Sequence, residues 1–385
     1  MTIGVPIETS PGERRVSIVP AGVSNLVKAG CAVRVSAGAG REAGISNADY
    51  EEAGATVVQE RGSVFDESDV IVQVRGGGAN PDSGMADVER LREGQVLIGF
   101  LEPLSAPAEI KALSNRRATA CAMEFIPRTS RAQSMDALSS QANIGGYKAA
   151  LVAAEYLPRL FPMMMTAAGT ITPAHVFVVG VGVAGLQAIA TCKRLGAVIQ
   201  AYDVRPAVKE QVQSVGARFV ELELDTADSE GSGGYAQAMD EQFYAKQREM
   251  MARVVSENDV VITTAAVPGK PAPVLVTEDM IKSMRPGSVV IDLAAERGGN
   301  CEITEPGRTV VKHGVTLVGE VNLPSTVPFH ASQMYSNNIV NFLKLMINDG
   351  ALDVGIDDDI VQGATVTRDG EIVNEQVSAL LSEAG

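Results

Sequence analysis

The chain reads as an α/β protein of two Rossmann-like, doubly wound parallel-sheet domains separated by a cleft, the first of them discontinuous. Three observations predict this. Short Val- and Ile-rich runs alternate with helical stretches, the pattern of a parallel sheet with helices on both faces. A length of 385 residues exceeds what one core usually supports. The α/β pattern also begins a second time near residue 175, and a tail follows it that is expected to return to the first domain. The expected division is 1–135 plus 328–385 for the first domain and 136–327 for the second.

In order along the chain, Ile3–Pro6, Ala32–Ser36, Val57–Val58, Val70–Val74, Val96–Phe100 and Thr119–Ala122 read as strands. Pro20–Ala29, Asn47–Ala53 and Pro107–Ser114 read as helices. Residues 135–160 form a long helical stretch, uninterrupted until Pro158, that serves as the inter-domain connector. Val176–Val179, Val198–Tyr202, Arg218–Val220, Val260–Thr263, Val289–Asp292 and Thr316–Val318 are the strands of the second unit, and 331–347 is again helical. Ala364-Thr-Val-Thr-Arg-Asp369-Gly370-Glu-Ile-Val alternates around Asp-Gly, the signature of a tight hairpin.

Composition narrows the class. A hydrophobic fraction of 45% describes an ordinary soluble globular protein, and a net charge of −15 argues against nucleic acid or an anionic membrane as partner. The chain opens directly on a strand, Met1-Thr-Ile-Gly-Val-Pro, and no secretory signal is expected. Cysteines 31, 121, 192 and 301 lack metal-type spacing and suit buried thiols in a reducing cytoplasm. Leu160–Cys192 carries almost no charge, yet Pro162, Gly169, Pro173, Gly180, Gly182 and Gly185 break it. A buried strand with flanking turns explains it better than a membrane span.

The most informative stretch is Val176-Phe-Val-Val-Gly180-Val-Gly182-Val-Ala-Gly185, running into a helix and followed about twenty residues on by a second strand ending at Asp203. In a dinucleotide site the first glycine permits the sharp turn and the second admits the pyrophosphate; the third lets helix and strand pack closely. The helix start offers unpaired N–H groups and a positive dipole end to phosphate, and Asp203 stands where a carboxylate accepts the ribose hydroxyls. Strand, turn, helix, second strand and acid in this order make the signal stronger than the glycines alone. The loop after Thr263, with Thr264, Ala265 and Ala266, is expected beside the nucleotide. Lys270 is read as solvated, and Ala294–Asn300 as another wall of the cleft.

A second polar group, Arg128, Arg131, Gln133, Ser134, Asp136 and Ser139, lies between the last strand of the first domain and the connector. These are suitable partners for a carboxamide, since Gln133 donates and accepts, Arg128 donates and Asp136 accepts. The plainer reading is a helix start with Ser134 as its cap and Asp136 in the first turn, and spacing serves both equally. Asp225–Tyr235 is either a surface loop or a lid with Tyr235 at its tip. The histidines at 175, 313 and 330 have no metal partner at ligand spacing, no metal site is expected, and no proton donor stands out.

At these residues the chain closely resembles domain I, the NAD(H)-binding subunit, of the proton-translocating NAD(P) transhydrogenases, over essentially its whole length. The likeness is densest at Arg128–Gln141, at Phe161-Pro-Met-Met-Met-Thr-Ala-Ala-Gly-Thr170, at Gly180–Arg205 and at Pro268-Gly-Lys-Pro-Ala-Pro273. The same superfamily contains alanine dehydrogenase, which shares the Pro-Gly-Glu-x-Arg-Val opening of Pro11–Val16. The resemblance implies nicotinamide contacts for Arg128, Gln133, Asp136 and Ser139. It implies pyrophosphate contacts for Gly180, Val181, Gly182, Val183 and Ala184, and adenosine contacts for Asp203, Val204 and Arg205. Gly234 and Tyr235 would belong to a mobile loop, while Met163–Met165 read as core filler. Two positions depart from alanine dehydrogenase: Glu102 stands near its catalytic histidine, and Arg75 in Val74-Arg75-Gly-Gly replaces its substrate lysine.

The implied reaction is direct hydride transfer from NADH bound here to NADP⁺ on a partner subunit, which needs no acid or base. Arg128 and Gln133 would orient the carboxamide, and Asp136 would hold Arg128 or the ring. Asp203 would favour NAD(H), with Arg205 as a complication. The implied assembly is a homodimer, with NADP(H)-binding and transmembrane partner subunits carrying the proton coupling, the chain itself being cytoplasmic and peripheral to the inner membrane. Two alternatives stay open: an alanine dehydrogenase-like amino-acid dehydrogenase, and a non-catalytic NAD(H) sensor.

Overall fold

The computed structural model describes residues 1–221, 241–267, 269–348 and 350–384. Two compact units are formed, Met1–Gln141 with Ser325–Gly385, and Ala142–Pro324.

Unit 1 begins with strands β1 (Thr2–Val5), β2 (Ala32–Ser36), β3 (Thr56–Val58), β4 (Val70–Arg75), β5 (Val96–Phe100) and β6 (Thr119–Ala122). Between them lie helices α1 (Pro20–Lys28), α2 (Asn47–Glu52), α3 (Arg61–Asp66), α4 (Gly84–Arg90) and α5 (Pro107–Asn115). The short helices α3 and α4 were not expected from sequence, since neither shows a full apolar period. Strand side chains alternate between two cores. Val70, Val72, Val74, Val96 and Ile98 face one, and Ile71, Leu97, Ala120 and Ala122 face the other. A strand buried on both faces reads as an unbroken apolar run, which is why these strands were legible.

Helix α6 (Ala137–Tyr156) carries the chain into unit 2. There follow β7 (Met164–Thr166), β8 (Gly169–Ile171), β9 (His175–Val179), α7 (Val183–Arg194), β10 (Val198–Tyr202), α8 (Lys209–Ser214) and β11 (Arg218–Phe219). Then come α9 (Glu241–Glu257), β12 (Val260–Thr263), α10 (Glu278–Ser283), β13 (Val289–Asp292), β14 (Thr309–Lys312) and β15 (Val315–Val318). Among the described residues the sheet order is β11-β10-β9-β12-β13-β15-β14, all parallel except β14, which pairs antiparallel with β15. The order reverses between β9 and β12, and ligands of such sheets bind beyond the carboxyl ends at that point. Val176, Val178, Val260 and Ile262 fill one core, Phe177, Val179 and Val261 the other.

One expectation is corrected. Met163–Met165 are not core filler: β7 and β8 form a separate antiparallel hairpin, and Met163 and Met165 are 62% and 73% exposed. Apolar composition alone does not say whether a neighbouring element covers it.

The chain returns to unit 1 through α11 (Pro328–Met346), a small β16 (Ile347–Asn348) and β17 (Ala351–Leu352) pair, α12 (Asp359–Ala364), β18 (Thr365–Arg368), β19 (Glu371–Ile372) and α13 (Glu375–Ala384). Its sheet, among the described residues, runs β19-β18-β6-β5-β4-β1-β2-β3, so the tail adds β18 antiparallel to β6 and then β19 antiparallel to β18. Asp369 and Gly370 join β18 to β19 with φ of 53° and 88°, the left-handed pair that a two-residue hairpin turn requires.

Candidate functional site

The glycine turn lies at the reversal point of unit 2. Gly180 takes φ 89°, and a Cβ there would come within 2.8 Å of Thr264 Oγ1 and 2.9 Å of Ala265 N. The Gly180 carbonyl accepts from Thr264 Oγ1 at 2.8 Å, and Gly180 N donates to the Tyr202 carbonyl at 2.9 Å. A Cβ on Gly185 would land on the Gly180 carbonyl oxygen, and one on Gly146 of α6 on the Ala184 carbonyl. Helix α7 is thus pressed against both the turn and α6.

Gly182 differs. It is the N-cap of α7, it makes no side-chain cap, and a Cβ there would meet nothing within 4 Å. Helix-start N–H groups without a side-chain cap call for another acceptor, and an anion suits them best. Val181, Val183 and Ala184 flank this opening. Val181 N donates to Asp203 Oδ2 at 2.7 Å, tying the end of β10 to the turn. Asp203 also pairs with Arg205. Turn, helix start and acid therefore meet as the fingerprint predicts, and a dinucleotide fits them.

Thr264, Ala265 and Ala266 follow β12 at the same edge. Their anchor was not foreseen. Asn300 Oδ1 accepts from Ala265 N at 3.0 Å, while its amide donates to the carbonyls of Ala265 and Pro273 at 2.9 and 2.8 Å. Asp292, fully buried, accepts from Thr263 Oγ1, Ala294 N and Cys301 N at 2.9–3.0 Å. No spacing rule connects residues 265 and 300, so only the tertiary structure reveals the clamp. Lys270 is exposed. Gly234 and Tyr235 lie outside the described residues.

In unit 1, residues Ser130–Met135 form a 3₁₀ turn held by the buried Ala132 and Met135. Asp136, rather than Ser134, caps the following helix: its carboxylate accepts from Ser139 N at 2.8 Å and Ser139 Oγ at 2.6 Å. The Ser134 carbonyl instead accepts from Asn338 at 2.9 Å. Arg131 pairs with Asp358 at 2.6 Å and with Asp359, tying the loop to α12. Arg128 and Gln133 are exposed. Asp136 and Ser139 are therefore brought together, on a loop fixed from below.

At the carboxyl ends of β1, β4, β5 and β6 sits a buried polar cluster. Arg15 grips Glu13 with Nε and Nη2 at 2.7 and 2.6 Å and donates to Gln141 Oε1 at 2.9 Å, the pair being 3% and 0% exposed. Glu8 accepts from Val74 N and Arg75 N, and burial, then the neighbouring Glu13, pushes its carboxyl up to about 8. Glu124 Oε1 accepts from Leu101 N and Glu102 N at 2.8 Å, while Oε2 has no hydrogen-bond partner among the described residues. Burial, then the Glu102 charge, raises Glu124 to about 7.

That shift fixes a sign. Between pH 4.5 and about 7 the folded chain keeps a proton that the unfolded chain releases, so this group's contribution falls as pH rises through that window. The loss is roughly 3 kcal/mol in all. Glu124→Gln keeps the accepting oxygen and removes the titration. Urea unfolding is expected to show it matching the wild type near pH 4.5 and exceeding it at pH 8; equal pH slopes for the two proteins would refute this.

All four cysteines are buried and free, and Cys121 and Cys192 are pushed by burial to about 11 and 12. Among the described residues no group of three or more His, Cys, Asp or Glu side chains could hold a metal ion, and no helix is long and apolar enough to cross a membrane.

Comparison with known proteins extends this geometry. Residues 4–145 match the family description "Alanine dehydrogenase/PNT, N-terminal domain" and residues 149–375 "Alanine dehydrogenase/PNT, C-terminal domain". The chain is 48% identical over 377 residues to the first portion of NAD(P) transhydrogenase subunit alpha of Rhodospirillum rubrum, covering 97% of this chain and 98% of that protein. It is 30% identical over 359 residues to alanine dehydrogenase 2 of Staphylococcus aureus (strain USA300), covering 91% and 88%. The solved structure of the transhydrogenase from Sinorhizobium meliloti superposes with a TM-score of 0.84 at 40% identity, covering 97% of this chain and 99% of that one.

Proposed function

Because this chain belongs to the alanine dehydrogenase/PNT family, we propose that it is the NAD(H)-binding subunit of a proton-translocating NAD(P) transhydrogenase. The observation that carries the nucleotide assignment is Gly182: an uncapped helix start with open space where a side chain would stand. Near-full-length identity to the transhydrogenase subunit, well above that to alanine dehydrogenase, favours the transhydrogenase branch.

In this reading NADH supplies a hydride to NADP⁺ held on a partner subunit. The chain's own residues bind, orient and exclude water. The α7 N-terminus and the Gly180–Ala184 backbone hold the pyrophosphate, Asp203 the adenosine ribose, and Thr264–Ala266 the wall beside them. Arg128 and Gln133 orient the carboxamide. Asp136 acts through Ser139 and the helix it caps, keeping the 128–139 loop in place. A hydride passed directly between two nicotinamide rings moves no proton at the reacting carbons, so no catalytic acid or base is needed. Proton coupling then belongs to transmembrane partner subunits, which hold this chain at the inner membrane, and the chain itself acts as a homodimer.

Alanine dehydrogenase chemistry is the second reading, favoured by the 30% identity and by Arg15. It is weakened by Glu102 at the position near that enzyme's histidine and by the commitment of Arg15 to Glu13. The deciding assay follows NADH-dependent reduction of NADP⁺ by the purified protein, alone and with the NADP(H)-binding domain of a transhydrogenase, with L-alanine oxidation in parallel. Transfer only in the presence of the partner domain is expected. Alanine oxidation without the partner would move the chain to the other branch.

A further inference from the structure

The acid and the base at the end of β10 are two residues apart and bind each other. Asp203 Oδ2 accepts from Val181 N at 2.7 Å and from Arg205 Nη2 at 2.8 Å; Oδ1 accepts from Arg205 N at 2.9 Å and Nε at 2.8 Å. Both side chains are almost wholly buried. The local sequence explains the geometry. Pro206 restricts the residue before it to extended backbone, and Arg205 has φ −88° and ψ 111°. Asp203-Val-Arg-Pro thereby folds the guanidinium and N–H of Arg205 back onto the carboxylate.

An arginine at this strand end has two uses. Turned outward, it accommodates the 2′-phosphate that distinguishes NADP(H) from NAD(H). Turned inward, it is the counter-ion of the acid. Resting on the assignment of unit 2 as the nucleotide-binding unit, we propose that the Asp203–Arg205 pair decides between NAD(H) and NADP(H) by holding Arg205 inward. The negative charge of Asp203 is then only part of the discrimination. A ribose hydroxyl is a donor and shares an Asp203 oxygen without separating the pair. A 2′-phosphate needs the guanidinium itself, and taking it leaves a buried carboxylate without its counter-ion. Arg205 is thus a specificity residue through what it is bound to.

Equilibrium binding of NADH and NADPH, read by nicotinamide fluorescence and calorimetry on the full chain, tests this. The variants are Asp203→Asn, Arg205→Ala and the double substitution, each checked by thermal unfolding. Asparagine keeps an acceptor for Val181 N. Asp203→Asn is expected to strengthen NADPH binding about tenfold or more by freeing Arg205, a charge-assisted contact of ordinary size. Adding Arg205→Ala should abolish that gain. Arg205→Ala alone should change NADPH affinity less than about threefold, since the residue does not serve the phosphate in the wild type. A gain that survives in the double variant means charge repulsion suffices, and overturns the proposal. A clear loss of NADPH binding in Arg205→Ala alone overturns it too, and decides the matter even if Asp203→Asn fails to fold. Wild type that binds NADH locates any such failure in the Asp203–Arg205 pair; wild type that binds neither nucleotide removes the functional assignment and the role of the pair together.

Discussion

Gly182→Ala is expected to leave the unfolding of unit 2 unchanged while lowering NADH affinity by roughly 100-fold, the equivalent of about 2.7 kcal/mol. The fold has room for the methyl group, because nothing lies within 4 Å of it and the backbone there, φ −78° and ψ −164°, suits any residue. What the methyl occupies is the approach to the α7 N-terminus. Gly185→Ala should act first on the fold. Its Cβ meets the Gly180 carbonyl oxygen, a backbone atom that moves only if the turn itself moves. Overpacking of this kind typically costs about 1–3 kcal/mol, so unit 2 should melt early and nucleotide affinity should fall as a consequence. Calorimetric melting and NADH titration of both variants separate the two effects. Normal NADH affinity in Gly182→Ala would mean that no phosphate approaches this backbone.

Arg15→Ala carries the second large effect. Removing the guanidinium takes away the counter-ion of the Glu13 carboxylate, 0% exposed, and breaking a buried pair from one side costs about 3–5 kcal/mol. It also strips Gln141 Oε1 of its Arg15 donor. Urea unfolding should show this loss in unit 1, with NADH binding by the folded fraction unaffected. A change below about 0.5 kcal/mol, the level of an ordinary surface substitution, would show that the pair contributes nothing to the fold. Arg15 would then be available as an anion-binding residue, and the alanine dehydrogenase reading would regain ground.

The parallel strands and the glycine turn were legible because their sequences encode local sterics. Val176–Val179 and Val289–Asp292 are buried on both faces and contain almost nothing but β-branched residues. Gly180 and Gly185 each mark a place where a side chain would strike backbone, whereas a Cβ at Gly182 would meet nothing within 4 Å. The antiparallel edge strand β14 was not legible because Thr309-Val-Val-Lys shows no apolar–polar alternation in sequence, although its burial does alternate. In the helix-start reading of Arg128–Ser139 the cap falls at Asp136, two residues beyond Ser134, because the 3₁₀ turn delays the helix start. Asn300 and Asp292 were illegible for a deeper reason. Each satisfies backbone groups on other segments, and chain spacing holds no record of which N–H groups a loop will leave unpaired.

The way the last strands close unit 1 has a consequence for biosynthesis. Thr365 of β18 registers with Cys121 of β6, a separation of 244 residues. At a translation rate of 5–20 residues per second, β6 leaves the ribosome roughly 10–50 s before its neighbour exists. Residues 142–324 emerge meanwhile as one uninterrupted piece, with every strand of their own sheet to hand. Unit 2 can therefore mature while unit 1 still shows an open edge of Thr119-Ala-Cys-Ala, unprotected by charge or proline. The nascent polypeptide is most vulnerable to mispairing in that interval, and a chain ended before Thr365 would carry a complete unit 2 beside an adhesive, open-edged unit 1.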